Sequence, residues 1–271
     1  MSGLMTRNWS RPAAPDSPAQ IAPSLLVVVQ NALSMAWRLL QQEVQAGTFS
    51  ICAATEDEIT ERLYMILGEF HAAGEAAIPG LSKFETSVRE GNMRNFDGRH
   101  LDKQPDLAFR PLRGQIPTAN SVPAAIFIEC KPIDSIHPLP SIYCRAGLIR
   151  FVNGDYAWAV DRSMMVGYVR NICSLPGGLA TCLSDAQLAT ELALHGMLQA
   201  LIPTASGDPV YQSTHERMFC LQGGSTPAGM ITVHHLWLSL AQPCETSSCR
   251  DNTKKRRRGE PSPKTNANTT T

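Results

Sequence analysis

The side chains best suited to chemistry lie between Gln104 and Ile133. The first part of this stretch reads Gln104-Pro105-Asp106-Leu107-Ala108-Phe109-Arg110, and the second Ala125-Ile126-Phe127-Ile128-Glu129-Cys130-Lys131-Pro132. The second is a short apolar run with one acid and one base set into its end. In a strand, alternate side chains share a face, so Ile126, Ile128 and Cys130 point one way and Phe127, Glu129 and Lys131 the other. Burying a carboxylate and an ammonium at the end of an apolar strand is expensive unless they are paired or hold an ion. A loop between the segments lets Asp106 lie beside its neighbour, gathering three charged groups. Two carboxylates and a lysine at a sheet edge suit a divalent cation and a polarised water; the plainer alternative is an ion pair closing a strand.

Pro105-Asp106 followed after 22 residues by Glu129-x-Lys131 resembles the signature of the PD-(D/E)XK, or restriction-endonuclease-like, nuclease superfamily. The likeness spans roughly residues 55 to 170. It implies an α/β fold with a restriction-endonuclease-like core, a central mixed β-sheet flanked by helices. It also implies a metal-dependent endonuclease hydrolysing DNA phosphodiester bonds, with the choice between DNA and RNA left open by the sequence and host defence or repair as a setting by analogy. Asp106 and Glu129 would bind Mg2+ or Mn2+, with the Cys130 carbonyl as a further ligand, and Lys131 would hold the attacking water. A glutamate on the helix before the motif strands often reaches the metal in this family, which makes Glu58 the candidate. Arg94 and Arg99, on a loop beside the site, would clamp phosphates, and Tyr143 or Arg150 would touch substrate. The partners implied are nucleic acid and a second copy or another protein. The alternative is a nuclease-like module that binds nucleic acid or protein without cutting.

The elements that must position these residues follow from periodicity and capping. A helix is expected from Ser24, as N-cap, to about Ala46, with Leu25, Val28, Val29, Leu33, Ala36, Trp37, Leu40 and Val44 on its core face. Thr55 and Glu58 form a capping-box pattern at the start of a second helix whose stripe is Ile59, Leu63, Ile66, Leu67 and Phe70. Glu58 therefore has two roles open to it, cap or metal ligand. A strand is expected over Phe84 to Arg89, then a turn-rich run to Gly98. From Lys83 to Arg113 seven basic residues are interleaved with five acids, so the region is not a patch of one sign. Pro140 to Val152 reads as a helix burying Ile142, Ala146, Ile149 and Phe151, with Tyr143, Gly147 and Arg150 near one face.

Beyond it, 154–160 and 163–169 read as a strand pair, 174–185 as loop, and Ala186 to Leu201 as helix. The polar run from Tyr211 to Arg217 suits a groove. Ile231 to Leu240 is an apolar strand in which His234 and His235 face opposite ways, one buried and one exposed. That arrangement supports no zinc site.

Composition sets outer limits. With 43% hydrophobic and 18% charged residues the chain reads as soluble and globular. The formal net charge is zero but uneven. Residues 250–264 carry seven basic and two acidic side chains, leaving the remainder net negative by five. The expected organisation is a mobile arm over 1–22, one nuclease-like domain over 23–245, and a disordered basic tail over 246–271. The tail could add affinity for phosphate backbones. Leu25 to Val29 is apolar but stops far short of a membrane span. Eight cysteines show no C-x-x-C spacing; Cys244 and Cys249 are near enough in sequence for a disulfide, and scattered thiols without a signal peptide fit a reducing cytoplasm.

Overall fold

The structure is a computed structural model, describing residues 17–116, 124–171, 173, 175–221, 225–242 and 244. Seven strands form one mixed sheet: β1 (Val88–Arg89), β2 (Leu107–Phe109), β3 (Ile126–Ile133), β4 (Arg162–Val169), β5 (Leu194–Ala200), β6 (Val210–Cys220) and β7 (Pro227–Ser239). Their spatial order is β1-β2-β3-β4-β7-β6-β5. The three central strands β3, β4 and β7 run parallel, and the outer pairings are antiparallel. Central parallel strands are covered on both faces, which accounts for the nearly unbroken apolar reading of β3 and β4.

Helices α1 (Pro23–Gln45) and α2 (Glu56–Ala73) lie against one face. Trp37 stacks on Tyr168 of β4 at 5.8 Å and donates through its indole N–H to the Ser239 carbonyl. Thr60 of α2 hydrogen-bonds the Tyr168 hydroxyl at 2.9 Å. The other face carries a π-helix (Leu139–Leu148) continuing into the short α3 (Ile149–Val152). α4 (Leu175–Leu183) and α5 (Ala186–Glu191) follow β4.

Several expectations need correction. α1 starts at Pro23 with Ala22 as N-cap, because proline is pre-set for a first helical turn. Only Val88 and Arg89 of the expected Phe84 strand pair in a ladder; Phe84 makes an isolated bridge to Pro111. Residues 140–148 wind with the wider π turn, so Tyr143, Cys144, Gly147, Leu148, Phe151 and Val152 are buried, at steps of four. Ile142, Ala146 and Ile149 lie only partly covered. The 154–160 run is not a strand, 175–183 is helical rather than loop, and the helix from Ala186 ends at Glu191. There Ala193 takes a positive φ of 44° and the chain turns into edge strand β5.

The polar 211–217 run belongs to β6. His234 and His235 do face opposite sides, but helices cover both: His234 bonds Gln30 of α1, and His235 bonds Tyr143 of the π-helix. Within residues 17–22 of the expected arm Ala19 and Ile21 are buried, Ala19 bridged to Val160 and the Ile21 N–H donating to Asp161. Cys244 is disulfide-bonded to Cys52, at a Cα separation of 5.5 Å, and not to Cys249, so the thiols are not all free. Cys249 and the basic run 254–258 lie outside the described residues. Among those described, no helix is long and apolar enough to cross a membrane.

Candidate active site

The antiparallel register of β2 on β3 pairs Leu107 with Ile128. One further step sets Asp106 opposite Glu129, where its Oδ2 accepts the Cys130 N–H at 2.6 Å. The ladder stops there, which leaves that edge of β3 to side chains. Lys131, almost fully buried, points its ammonium at three carboxylates. Nζ lies 2.6 Å from Glu56 Oε1, 3.0 Å from Glu129 Oε1 and 3.9 Å from Asp106 Oδ2. Glu129 has 0% exposure. Its Oε1 also faces Arg150 Nη1 at 3.0 Å, and its Oε2 accepts the Tyr156 hydroxyl.

Glycine on the π-helix lets that helix approach so closely. A Cβ at Gly147 would stand 2.8 Å from Met165 Cε, 3.3 Å from Lys131 Cγ and 3.5 Å from Glu129 Cγ. A side chain there would displace the Met165 methyl and press on Lys131, while Glu129 stays at ordinary contact distance.

Burial and crowding set the protonation of the group. Burial, then the Glu129 charge, push Asp106 up to about 7, against the pull of Lys131 and the Cys130 N–H. Burial also raises Glu56, with Lys131 opposing. Lys131 is pulled down by burial, but Glu129, Asp106 and Glu56 outweigh that and hold it above the usual lysine range. The same balance raises Arg150, whose burial is outweighed mainly by Glu129.

A cleft of about 380 Å³ opens beside this cluster, lined by His100, Lys103, Gln104, Arg150 and Tyr156 together with Asp102 and Asp155. Lys103 is paired with Asp155 at 3.0 Å. Arg150 spans the two environments, its side chain 40% exposed while its guanidinium touches Glu129.

The site residues expected from sequence are thus partly brought together. Asp106, Glu129, Lys131 and Arg150 converge. Cys130 joins through its N–H, donated to Asp106. Glu58 does not converge: its carboxylate accepts the Thr55 N–H at 2.7 Å and the Thr55 hydroxyl at 3.0 Å, closing the capping box in solvent. The helical acid in the cluster is Glu56, two residues earlier, because a residue committed to the cap cannot also reach inward. Tyr143 is fully buried and donates to His235 Nδ1 at 3.0 Å, so it supports the core rather than meeting substrate. Arg94 lies over the Trp158 ring at 5.0 Å, and Arg99 folds back towards Asp97. Neither lines the cleft. Glu56 and Tyr156 were missed; Glu56 had the same first-turn signal as Glu58, while nothing in the sequence near Tyr156 pointed to Glu129.

Among the described residues, no three His, Cys, Asp or Glu side chains are spaced to hold a metal ion as they stand. The ammonium of Lys131 stands among the three acids instead. The donors still suit a hard divalent ion in kind, being carboxylate oxygens. Glu129 Oε1, moreover, is buried and faces two cations without one aligned hydrogen bond. Loading an ion would require Lys131 to draw back.

Fold and site together define an α/β protein with a seven-stranded mixed sheet flanked by helices and an acid–lysine cluster at the end of a central strand. No protein-family model, curated protein or solved structure matches the chain.

Proposed function

We propose that the chain is a metal-dependent nuclease that hydrolyses DNA phosphodiester bonds at the Glu56–Asp106–Glu129–Lys131 cluster. The observation that carries this reading is the convergence of three carboxylates on one buried ammonium beside a cleft. Together with the Pro-Asp and Glu-x-Lys spacing, that convergence favours the restriction-endonuclease-like resemblance. Asp106 and Glu129 Oε1 would hold a Mg2+ or Mn2+ ion, with Glu56 completing the set. When bound, the ion would offset charge on the scissile phosphate and acidify a water. Lys131, freed from its contact with Glu129, would orient that water and offset negative charge as it develops on the phosphate oxygens. Arg150, which contacts Glu129 and lines the cleft, would meet a phosphate oxygen. Most of the rate enhancement would come from positioning and fixed charge.

A second reading has one observation in its favour. Lys131 already neutralises the acids, and Glu129 is engaged on both oxygens. That arrangement also suits a nuclease-like module that binds nucleic acid or a partner protein without cutting it.

Plasmid and linear single-stranded DNA incubated with Mg2+ or Mn2+ separate the two. Metal-dependent cutting by the wild type, lost in both Lys131→Ala and Asp106→Ala, is the expected result. Binding that persists in all three proteins without any cutting would replace the nuclease by the module.

A further inference from the structure

The segment between α3 and β4, residues 153–161, has no regular structure, yet Tyr156, Ala157, Trp158, Ala159 and Val160 are all buried. Its path is constrained. Gly154 has φ 74°, and a Cβ there would strike the Phe219 ring at 2.6 Å. Ala157 has φ 57°, the left-handed region, which costs an alanine about 1 kcal/mol or more. Outside, the Trp158 indole N–H donates to the Arg94 carbonyl at 2.9 Å.

Inside, the segment is held by Arg217 of β6, which is 1% exposed. Its Nη1 donates to the carbonyls of Ala157 at 3.2 Å and Val160 at 3.1 Å. Its Nε and Nη2 donate to Gly229 at 3.1 Å and Ala228 at 2.9 Å. Among the described residues Arg217 makes no ion pair within 4 Å; the buried guanidinium is held by backbone carbonyls, with the Phe219 ring 5.7 Å away and the charge of Asp161 acting on it from further off. An arginine kept in this way and an alanine kept at positive φ are both unfavourable locally. Such features persist only where the surroundings over-determine them. What the segment delivers is the Tyr156 hydroxyl onto Glu129 Oε2, leaving Oε1 turned toward Lys131 and Arg150.

We propose that Tyr156 is a positioning residue for the metal-binding carboxylate: it fixes Glu129 through Oε2 so that Oε1 faces the cation site, and Arg217 holds Tyr156 there through the carbonyls of the residues that follow it. This assignment rests on the metal-dependent reading above. Carboxylates that ligate metals are themselves hydrogen-bonded, and loss of such a partner typically weakens metal affinity about 10–100-fold.

The test is the Kd for Mn2+, read from the paramagnetic signal of free ion, on wild type, Tyr156→Phe, Arg217→Met and Arg217→Lys, with the melting temperature of each. The expected result is at least about ten-fold weaker Mn2+ binding in Tyr156→Phe and Arg217→Met, with partial recovery in Arg217→Lys, which restores a donor and a charge. A role in stability alone would lower the melting temperature and leave the Kd within about two-fold, which overturns the assignment; so would tighter binding in Tyr156→Phe. Should Arg217→Met fail to fold, the near-isosteric Tyr156→Phe and the Arg217→Lys variant still decide. Wild type that folds but holds no Mn2+ would remove the metal-dependent reading and this assignment with it. Wild type and variants binding equally would overturn the assignment alone.

Discussion

Asp106→Asn isolates the electrostatic load of the cluster. The asparagine retains an oxygen to accept the Cys130 N–H and carries no charge. In the native protein the Asp106 carboxyl is raised from the ordinary 3.8 to about 7, by burial first and by Glu129 second. Between those values the folded protein holds a proton that the unfolded chain has released. The favourable contribution of Asp106 is therefore complete below the unfolded value and is lost as pH rises through about 7. A shift of this size corresponds to about 4 kcal/mol once the group is ionised in both states, with roughly 2 kcal/mol of it already lost by pH 5. Relative to wild type, Asp106→Asn should thus gain roughly 2–3 kcal/mol between pH 5 and 8.5. Urea unfolding of both proteins in EDTA, followed by tryptophan fluorescence, reads this directly, and other titrating groups common to both cancel. A difference that stays flat with pH, or an Asn variant that loses ground as pH rises, would refute the account of the cluster. Adding Mn2+ should shrink the advantage of Asn, since a cation beside Asp106 favours its ionised form.

Three other perturbations probe separate parts of the molecule. Lys131→Met leaves Glu56 and Glu129 without the ammonium between them and should destabilise the fold by about 3–5 kcal/mol; a loss below about 1 kcal/mol in urea unfolding would contradict the contacts described. The Cys52–Cys244 disulfide joins residues 192 apart, for which the chain-entropy description gives at most about 5 kcal/mol. Dithiothreitol should then lower the melting temperature of wild type but not that of Cys52→Ser/Cys244→Ser. Burial holds His215 and His234 down at about 4 and His235 well below its ordinary value. Their stabilising contribution is full above about 6.5 and is lost as pH falls toward 4, by roughly 3 kcal/mol for each of the first two. His234→Gln should show a smaller loss between pH 7.5 and 5 than wild type, and equal losses would refute the assignment.

The buried histidines also illustrate how a polar core is satisfied. Because the Leu192 carbonyl can only accept, His215 Nδ1 must donate to it, at 2.8 Å. Ser213 then donates to His215 Nε2, His235 Nε2 donates to Ser213, and Tyr143 donates to His235 Nδ1. His215, Ser213 and His235 each give one proton and take one along the line, between the Tyr143 hydroxyl that only gives and the Leu192 carbonyl that only takes, so the row is complete while its members are neutral. This chain, and not substrate, is what occupies the Tyr143 hydroxyl.

Local signals in the sequence carried the parts of the fold that local physics controls. The apolar stripe of α1, the capping box of α2, and the alternation that puts Glu129 and Lys131 on one face of β3 all depend on neighbours a few residues away. That the Asp106 segment lies beside the Glu129 segment was legible from a loop joining two strand-like runs; the antiparallel register that sets Asp106 opposite Glu129 came only with the structure. Where winding changed, the reading slipped: the π-helix shifted which residues are buried, and a tight turn at Ala193 converted an expected helix into a helix and an edge strand.

Residue types and spacing gave the expectation that an acid from one segment and a Glu-x-Lys from another meet at a strand end. Only the tertiary structure decided which helical acid joins them. Glu56 and Glu58 share one first turn, and the choice depends on Thr55 engaging one of them while Lys131, seventy-five residues away along the chain, draws in the other. The Tyr156 contact, the carbonyl cage around Arg217 and the Cys52–Cys244 bond are of the same kind. Each joins residues far apart in sequence, and a periodic pattern carries no information about partners it does not touch.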